Sequence, residues 1–180
     1  MGVTWGCSEI TPELYRELSR DPAPAELLLR LEDIADEELA EIGCDRERFE
    51  SLHEGVLQEF TEVDKAWNGI HFLLTGRSRK GPDVLSMAVY GGAALDLMNG
   101  THALLSPEET KAVASALLRV SEKELRARFD PKAMERGDVY PDGLWQDTNA
   151  LDYLLSYYPN VVEFYTAVAG RGNAVLISTG

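Results

Sequence analysis

The sequence predicts a helix-rich α/β protein, a sandwich in which helices pack around one small mixed sheet. Three observations lead there. Helix starts and stops recur along the 180 residues. Apolar strand candidates stand near both ends, so the termini are expected to pair in one sheet. The 44% apolar content suffices for a sizeable core without a disulfide or metal staple. The prior for this length is one domain over residues 1–180.

The elements follow in order. Val3 and Trp5 mark a strand over residues 3–8. Thr11 caps a helix whose first residue is Pro12, the usual place for a helical proline, and Leu14 and Leu18 share its face. A second helix runs from about Ala25 through Leu31, with an extension to Ile42 where Gly43 ends it. Asp45 caps a third, with the stripe Phe49, Leu52, Val56 and Phe60. Gly55 weakens it by roughly 1 kcal/mol relative to Ala. The next helix carries Val63, Trp67, Ile70 and Leu74 at spacings of four, three and four, a core-facing seam, and Gly76 stops it.

Arg77 to Asp83 reads as a loop with a basic cluster, Arg77, Arg79 and Lys80. Val84 to Tyr90 reads as a buried strand, and Ala103 to Leu105 as a short one. Ser106-Pro107-Glu108-Glu109 is a capping box, and Ser121 with Glu124 repeats it. Asp130-Pro131 opens a short helix through Met134, and residues 138–145 are irregular. A helix with Leu151, Leu154 and Leu155 is expected to break or kink at Pro159. It resumes with Val161, Phe164, Tyr165 and Val168. Ala174 to Ser178 is apolar enough to be a central strand. Trp67, Ile70, Leu74, Phe129 and Ile177 are the expected core.

Charge narrows the function classes. The net charge is −14, and residues 1–62 hold 17 acids against 5 bases. That half opposes nucleic-acid phosphates and anionic membranes, so neither is an expected partner. It reads as solvated helix faces or, more sharply, as a docking surface for a basic protein. Glu37, Glu38, Glu41, Glu50 and Glu54 are its candidates. Arg126, Arg128, Lys132 and Arg136 form a basic cluster, expected to salt-bridge to the acidic half. The alternative is an anion site near the helix after Asp130. No apolar run approaches the roughly 20 residues of a membrane span. The N-terminus lacks a secretion pattern, and Gly6 stands where a myristoylation site wants Ser or Thr. Cys7 and Cys44 have no CxxC spacing, which fits thiols packed in a reducing cytoplasm.

The best candidate site is on the helix from Asp64 to Gly76. Asp64 and Asn68 are four apart, and Asn68 and His71 three apart, so these side chains can share a face. With Trp67 as a stacking surface they would wall a polar pocket. The structural alternative makes Asp64 a helix-start residue, His71 a hydrogen-bonded core histidine and Trp67 core. Asp138, Asp142 and Asp147 are the nearest thing to a metal set, but their spacing fails the EF-hand pattern, and turn roles fit them better. No nucleophile elbow, histidine pair, phosphate loop or dinucleotide fingerprint is present. No metal and no cofactor are expected, and the chain leans away from an enzyme.

The block Asp64 to Gly76 resembles the signature of the YfbM-like family, small uncharacterised bacterial proteins. Met1-Gly2, Arg128-Phe129-Asp130-Pro131 with Met134, Tyr140-Pro141 and Ala174-Val175-Leu176-Ile177 resemble it too, in the family's order. The resemblance implies a single-domain three-layer α/β fold in a bacterial cytoplasm, and no activity. In that family a histidine often stands where this chain has Asn68, so a scheme with two histidines on this helix fails here. Three readings remain: a non-catalytic interaction protein, for instance an inhibitor of a basic toxin or enzyme; a ligand-binding protein or enzyme with a pocket beside Trp67, Asn68 and His71; and a subunit of a larger assembly. A closed polar pocket at His71 would favour the second, a flat acidic face the first.

Overall fold

The computed structural model describes residue 3 and residues 5–30, 34–60, 63–97 and 101–179. Met1, Gly2 and Leu31, which entered the expectations above, lie outside the described residues. Five strands form the sheet: β1 (Trp5–Ile10), β2 (Val56–Phe60), β3 (Ala93–Leu95), β4 (Thr101–Leu105) and β5 (Ala174–Thr179). Their spatial order is β2-β1-β5-β4-β3, which puts the last strand at the centre. Every pair is antiparallel, where a mixed sheet was expected. The termini do pair, with Cys7 opposite Ile177 and Glu9 opposite Val175.

Alternation along the central strands divides the core in two. Trp5, Cys7, Leu105, Val175 and Ile177 belong to one apolar cluster. Ile10, Leu104, Ala174 and Leu176 belong to another. Since strand side chains alternate between faces, these sets are the two sides of the sheet. The second side is covered by the acidic part of the chain: α1 (Pro12–Arg20), α2 (Ala25–Leu28), α3 (Asp36–Glu41) and α4 (Arg46–His53). The first side is covered by α5 (Trp67–Thr75), α6 (Val84–Tyr90), α7 (Pro107–Leu117), α8 (Glu122–Arg128), α9 (Pro131–Arg136) and α10 (Ala150–Arg171). Three layers result, and the division of charge in the sequence becomes a division between the outer two.

Helix signals explain most boundaries. The hydroxyl of Thr11 accepts from Leu14 N, and Pro12 opens α1. Ser106 and Ser121 both form full capping boxes. Asp45 and Asp130 cap α4 and α9. Gly76 ends α5 at φ +72, a left-handed backbone that a side chain would strain.

Four expectations need correction. Val84–Tyr90 is helical: Asp83 accepts from Ser86 N as an N-cap, and Ser86, Ala88 and Val89 are buried at helical spacing. Val56–Phe60 does not extend α4 but turns at Gly55 to pair with β1. A Cβ at Gly55 would stand 2.8 Å from the Cβ of Leu14, so this turn packs directly on α1. The segment 25–42 is two short helices rather than one. Finally, α10 runs unbroken through Pro159, its buried face of Leu154, Tyr158, Val161, Phe164, Tyr165 and Val168 outweighing a proline cost of about 3 kcal/mol.

Of the expected core, Trp67, Ile70, Leu74 and Ile177 are buried, and Phe129 is half-buried against the same cluster. The amphipathic pattern of α5 is misleading in one respect: every residue from Trp67 to Leu74 is buried, the polar ones included. This helix lies inside the protein.

Gly69 is a consequence of that position. A Cβ there would stand 2.5 Å from Trp145 Cη2 and 2.6 Å from Leu154 Cδ2. Helix propensity alone says that Gly69→Ala stabilises by about 1 kcal/mol. Packing says the opposite, a loss of about 1–3 kcal/mol. A urea midpoint below wild type is the expected result; one above it would mean that α5 is not so enclosed.

Candidate functional site

Burial of α5 sets the chemistry of its polar residues, because a buried polar group without a partner costs about 1–3 kcal/mol. Asn68 is 2% exposed and makes three hydrogen bonds. Its Nδ2 donates to Ser78 O at 2.7 Å and to Tyr90 Oη at 2.9 Å. Its Oδ1 accepts from Tyr140 N at 2.8 Å. A neutral imidazole offers one donor and one acceptor, so Asn68 makes one bond more than a histidine here could.

His71 is fully buried. Its Nδ1 lies 2.7 Å from Arg77 O, and its Nε2 lies 3.0 Å from Ser86 Oγ. A carbonyl oxygen only accepts, so Nδ1 carries the proton and Nε2 accepts from the serine hydroxyl. Ser86 Oγ in turn accepts from Gly81 N at 2.8 Å. Burial pushes the His71 pKa down to about 4, against the pull of the Arg77 carbonyl and the Asp83 charge. The ring is neutral at neutral pH.

Together Asn68 and His71 clamp a loop. The carbonyls of Arg77 and Ser78 turn inward onto their side chains. Tyr90 Oη adds a bond to Ser78 O at 2.6 Å and stands edge-on to the His71 ring at 4.8 Å. Burial raises the Tyr90 pKa, which keeps that hydroxyl a donor.

Trp67 is core, as the structural reading had it. Its ring stacks on Tyr140 at 5.7 Å and meets Tyr90 edge-on at 6.2 Å. Its Nε1 is buried with no hydrogen-bond partner among the described residues. Asp64 does not share a face with Asn68 and His71. It is exposed, sits at φ +42, and opens a 3-10 turn (Asp64–Ala66) ahead of α5. Its carboxylate accepts from Tyr153 Oη of α10 at 2.8 Å. Burial, helped by that negative neighbour, raises the Tyr153 pKa.

Of the four predicted site residues, the structure thus groups Trp67, Asn68 and His71 and leaves Asp64 apart. Sequence reasoning missed Ser86, Tyr90 and Tyr140. The signal for Ser86 was Asp83 three residues before it, a cap pattern.

The other candidates resolve as follows. Arg126 pairs with Glu122 and Asp152 in its own layer. Arg128 donates to Leu73 O and Leu74 O, capping α5. Among the described residues, neither they nor Lys132 and Arg136 bridge to the acidic layer, contrary to expectation. Asp147 has a turn role, accepting from Asn149 N. Among the described residues no group of three His, Cys, Asp or Glu could hold a metal ion. Cys7 and Cys44 are free and buried, and burial raises both thiol pKa values.

What fold and site define together is a helix-rich α/β sandwich whose most distinctive polar cluster is internal. Residues 1–178 match the family model described as a domain of unknown function, DUF1877, and the chain belongs to that family. It is 36% identical over 84 residues to Protein YfbM of Escherichia coli (strain K12). That stretch is 44% of this chain and spans half of the relative's length. The crystal structure of YfbM from Escherichia coli, a protein of unknown function, matches with a TM-score of 0.69 at 21% identity. The match covers 98% of this chain and 99% of that one, and at this identity it establishes the fold.

The neutral, buried His71 has a pH signature. Its folded pKa of about 4 lies below the unfolded value near 6.5. Its contribution is therefore complete above pH 6.5 and is lost as pH falls toward 4, because the unfolded chain takes up the proton first. The loss is on the order of 3 kcal/mol across that window. Urea titrations at a series of pH values should show it in wild type, and His71→Gln should be flatter between pH 6.5 and 4.5. Parallel profiles would contradict the assignment.

Proposed function

We propose that this chain is a non-catalytic interaction domain, a single unit acting in the cytoplasm, whose acidic layer receives a basic protein. The observation that carries this is the unbalanced charge of α1–α4. All five arginines of the first half are already paired within it: Arg16 with Glu13, Arg20 with Glu17, Arg30 with Glu38, Arg46 with Asp36, and Arg48 with Asp21. No cation from the opposite layer reaches these helices among the described residues. Glu37, Glu41, Glu47, Glu50 and Glu54 stay exposed and without an ion pair among the described residues.

A notch of about 450 Å³ opens in the same layer. Leu27, Ile34 and Phe49 line it, with Glu50, His53 and Glu54 beside them and the ion-paired Arg30 and Arg46 at its wall. An apolar notch whose two arginines are already paired, with Glu50 and Glu54 unpaired among the described residues, fits an anchor residue set among lysines or arginines, since a few buried anchors carry most interface energy. The alternative pocket beside Trp67, Asn68 and His71 has less behind it, because the side-chain polar atoms of Asn68 and His71 are engaged inside the protein.

The test uses wild type and a variant with Glu37, Glu41, Glu50 and Glu54 changed to Gln. Glu38 is left alone because it holds Arg30 and Ala35 N. A basic protein captured from the native host should associate with wild type about tenfold more slowly at 300 mM than at 50 mM salt. The variant should associate slowly at both. Equal rates for the two proteins, or no salt dependence, would leave the acidic layer as a solubility feature only.

A further inference from the structure

The sequence carries two basic clusters far apart, Arg77 to Lys80 and Arg126 to Arg136. The fold brings one end of each together. A groove of about 390 Å³ lies between the end of α5, the loop after it and the last turn of α9. Arg77, Arg79, Lys80 and Arg136 line it, with Phe72 and Ala133 as apolar wall, and no carboxylate is among the lining residues. We propose that this groove binds the phosphate group of a small phosphorylated metabolite. The inference is independent of the acidic-layer reading.

Four positive side chains around one hollow are unexpected in a chain of net charge −14. Their mutual repulsion calls for an anion or a structural task. The obvious task is to offset the negative carbonyl end of α5. Arg128 already does that, donating to Leu73 O and Leu74 O, while Gly76 N closes on Phe72 O. Arg77 has a carboxylate, Asp83, at 2.6 Å, and Lys80 donates to Gly92 O at 2.6 Å. Both are thereby held in place, and of the two only Arg77 has a carboxylate partner among the described residues. Arg79 and Arg136 are exposed and have no ion pair among the described residues.

The loop is preorganised for the same reason that α5 is polar inside. The inward carbonyls of Arg77 and Ser78 are fixed by His71, Asn68 and Tyr90. Gly81 N is fixed by Ser86. A loop pinned on its inner side loses little entropy when its outer side takes a ligand. Two free guanidinium forks and an ammonium suit a doubly charged phosphate, whose oxygens accept paired N–H bonds. The volume lies in the small-molecule range, and Phe72 and Ala133 offer contact to the carbon part of a ligand.

The full chain is titrated at constant ionic strength with inorganic phosphate, inorganic pyrophosphate, a nucleoside monophosphate and citrate. Backbone amide shifts are followed. Phosphates should bind in the submillimolar range and shift residues 76–80 and 133–137. Arg79→Ala and Arg136→Ala should each weaken binding about tenfold, with melting temperatures equal to wild type because both side chains are exposed and unpaired. A nucleoside monophosphate binding more tightly than the inorganic ions points to an organic phosphate; the reverse order points to free phosphate or pyrophosphate. No shifts at several millimolar would overturn the proposal. So would citrate binding as tightly as pyrophosphate, or alanine variants that bind like wild type.

Discussion

The carbonyl oxygens of Arg77 and Ser78 are the point on which this structure turns. They lie against the interior, and Asn68, His71 and Tyr90 satisfy them there, with a longer bond from Thr75 Oγ1 to Arg77 O at 3.4 Å. Burying α5 on every side would otherwise be costly, because its polar side chains and the loop's backbone would each lack a partner. Paired with one another they satisfy both needs. The same set fixes where α6 begins, since Ser86 receives Gly81 N and donates to His71, while Asp83 caps the helix. It also fixes the approach of the irregular segment, through Tyr140 N on Asn68 Oδ1.

Around that centre the molecule is asymmetric. One outer layer is acidic, short-helixed and internally ion-paired. The other holds the long α10, the enclosed α5 and twelve of the seventeen lysines and arginines. One ion pair with a buried acid and a half-exposed arginine joins strand to helix: Glu9, 2% exposed, accepts from Arg171 Nε at 2.7 Å and from Asn173 at 2.6 Å. Burial pushes the Glu9 carboxyl up, and the bonds from Arg171 and Asn173 outweigh it, holding its pKa below the ordinary value. Among the described residues the charge surplus of α1–α4 therefore has no internal answer, whereas the one deeply buried carboxylate does. That contrast separates a structural acid from acids free to act on something outside.

Local chemistry made much of this legible from sequence. Thr11-Pro12, Ser106 with Glu109, Ser121 with Glu124 and Gly76 all behave as their side chains dictate. The central strand was readable because Ala174 to Ile177 is apolar on both faces and packs both layers. What failed was decided by tertiary contacts. Val84–Tyr90 is rich in strand-forming residues, yet an N-cap and the demand for a helical partner to β1 prevail; Trp5 Nε1 donates to Val89 O, and Tyr165 Oη to Ala88 O. Val56 follows the periodicity of α4, but the edge of β1 offers it hydrogen bonds that a further helical turn could not combine with Gly55 against Leu14. At the candidate site, spacing alone grouped Asn68 with His71. It could not reveal that their partners were carbonyls of the next loop, since backbone groups leave no mark in a residue pattern. Asp64 was misplaced because a left-handed backbone at a non-glycine residue has no sequence signature.

The most direct test of the clamp is the protonation state of one ring. Long-range nitrogen–proton correlation spectra report which nitrogen of His71 carries the proton. The account predicts a neutral ring with the proton on Nδ1, unchanged from pH 8 down to pH 5. A His71 ring that carries its proton on Nε2, or that becomes doubly protonated near pH 6.5, would mean that Arg77 O is not held by it and that the loop is fixed by something else.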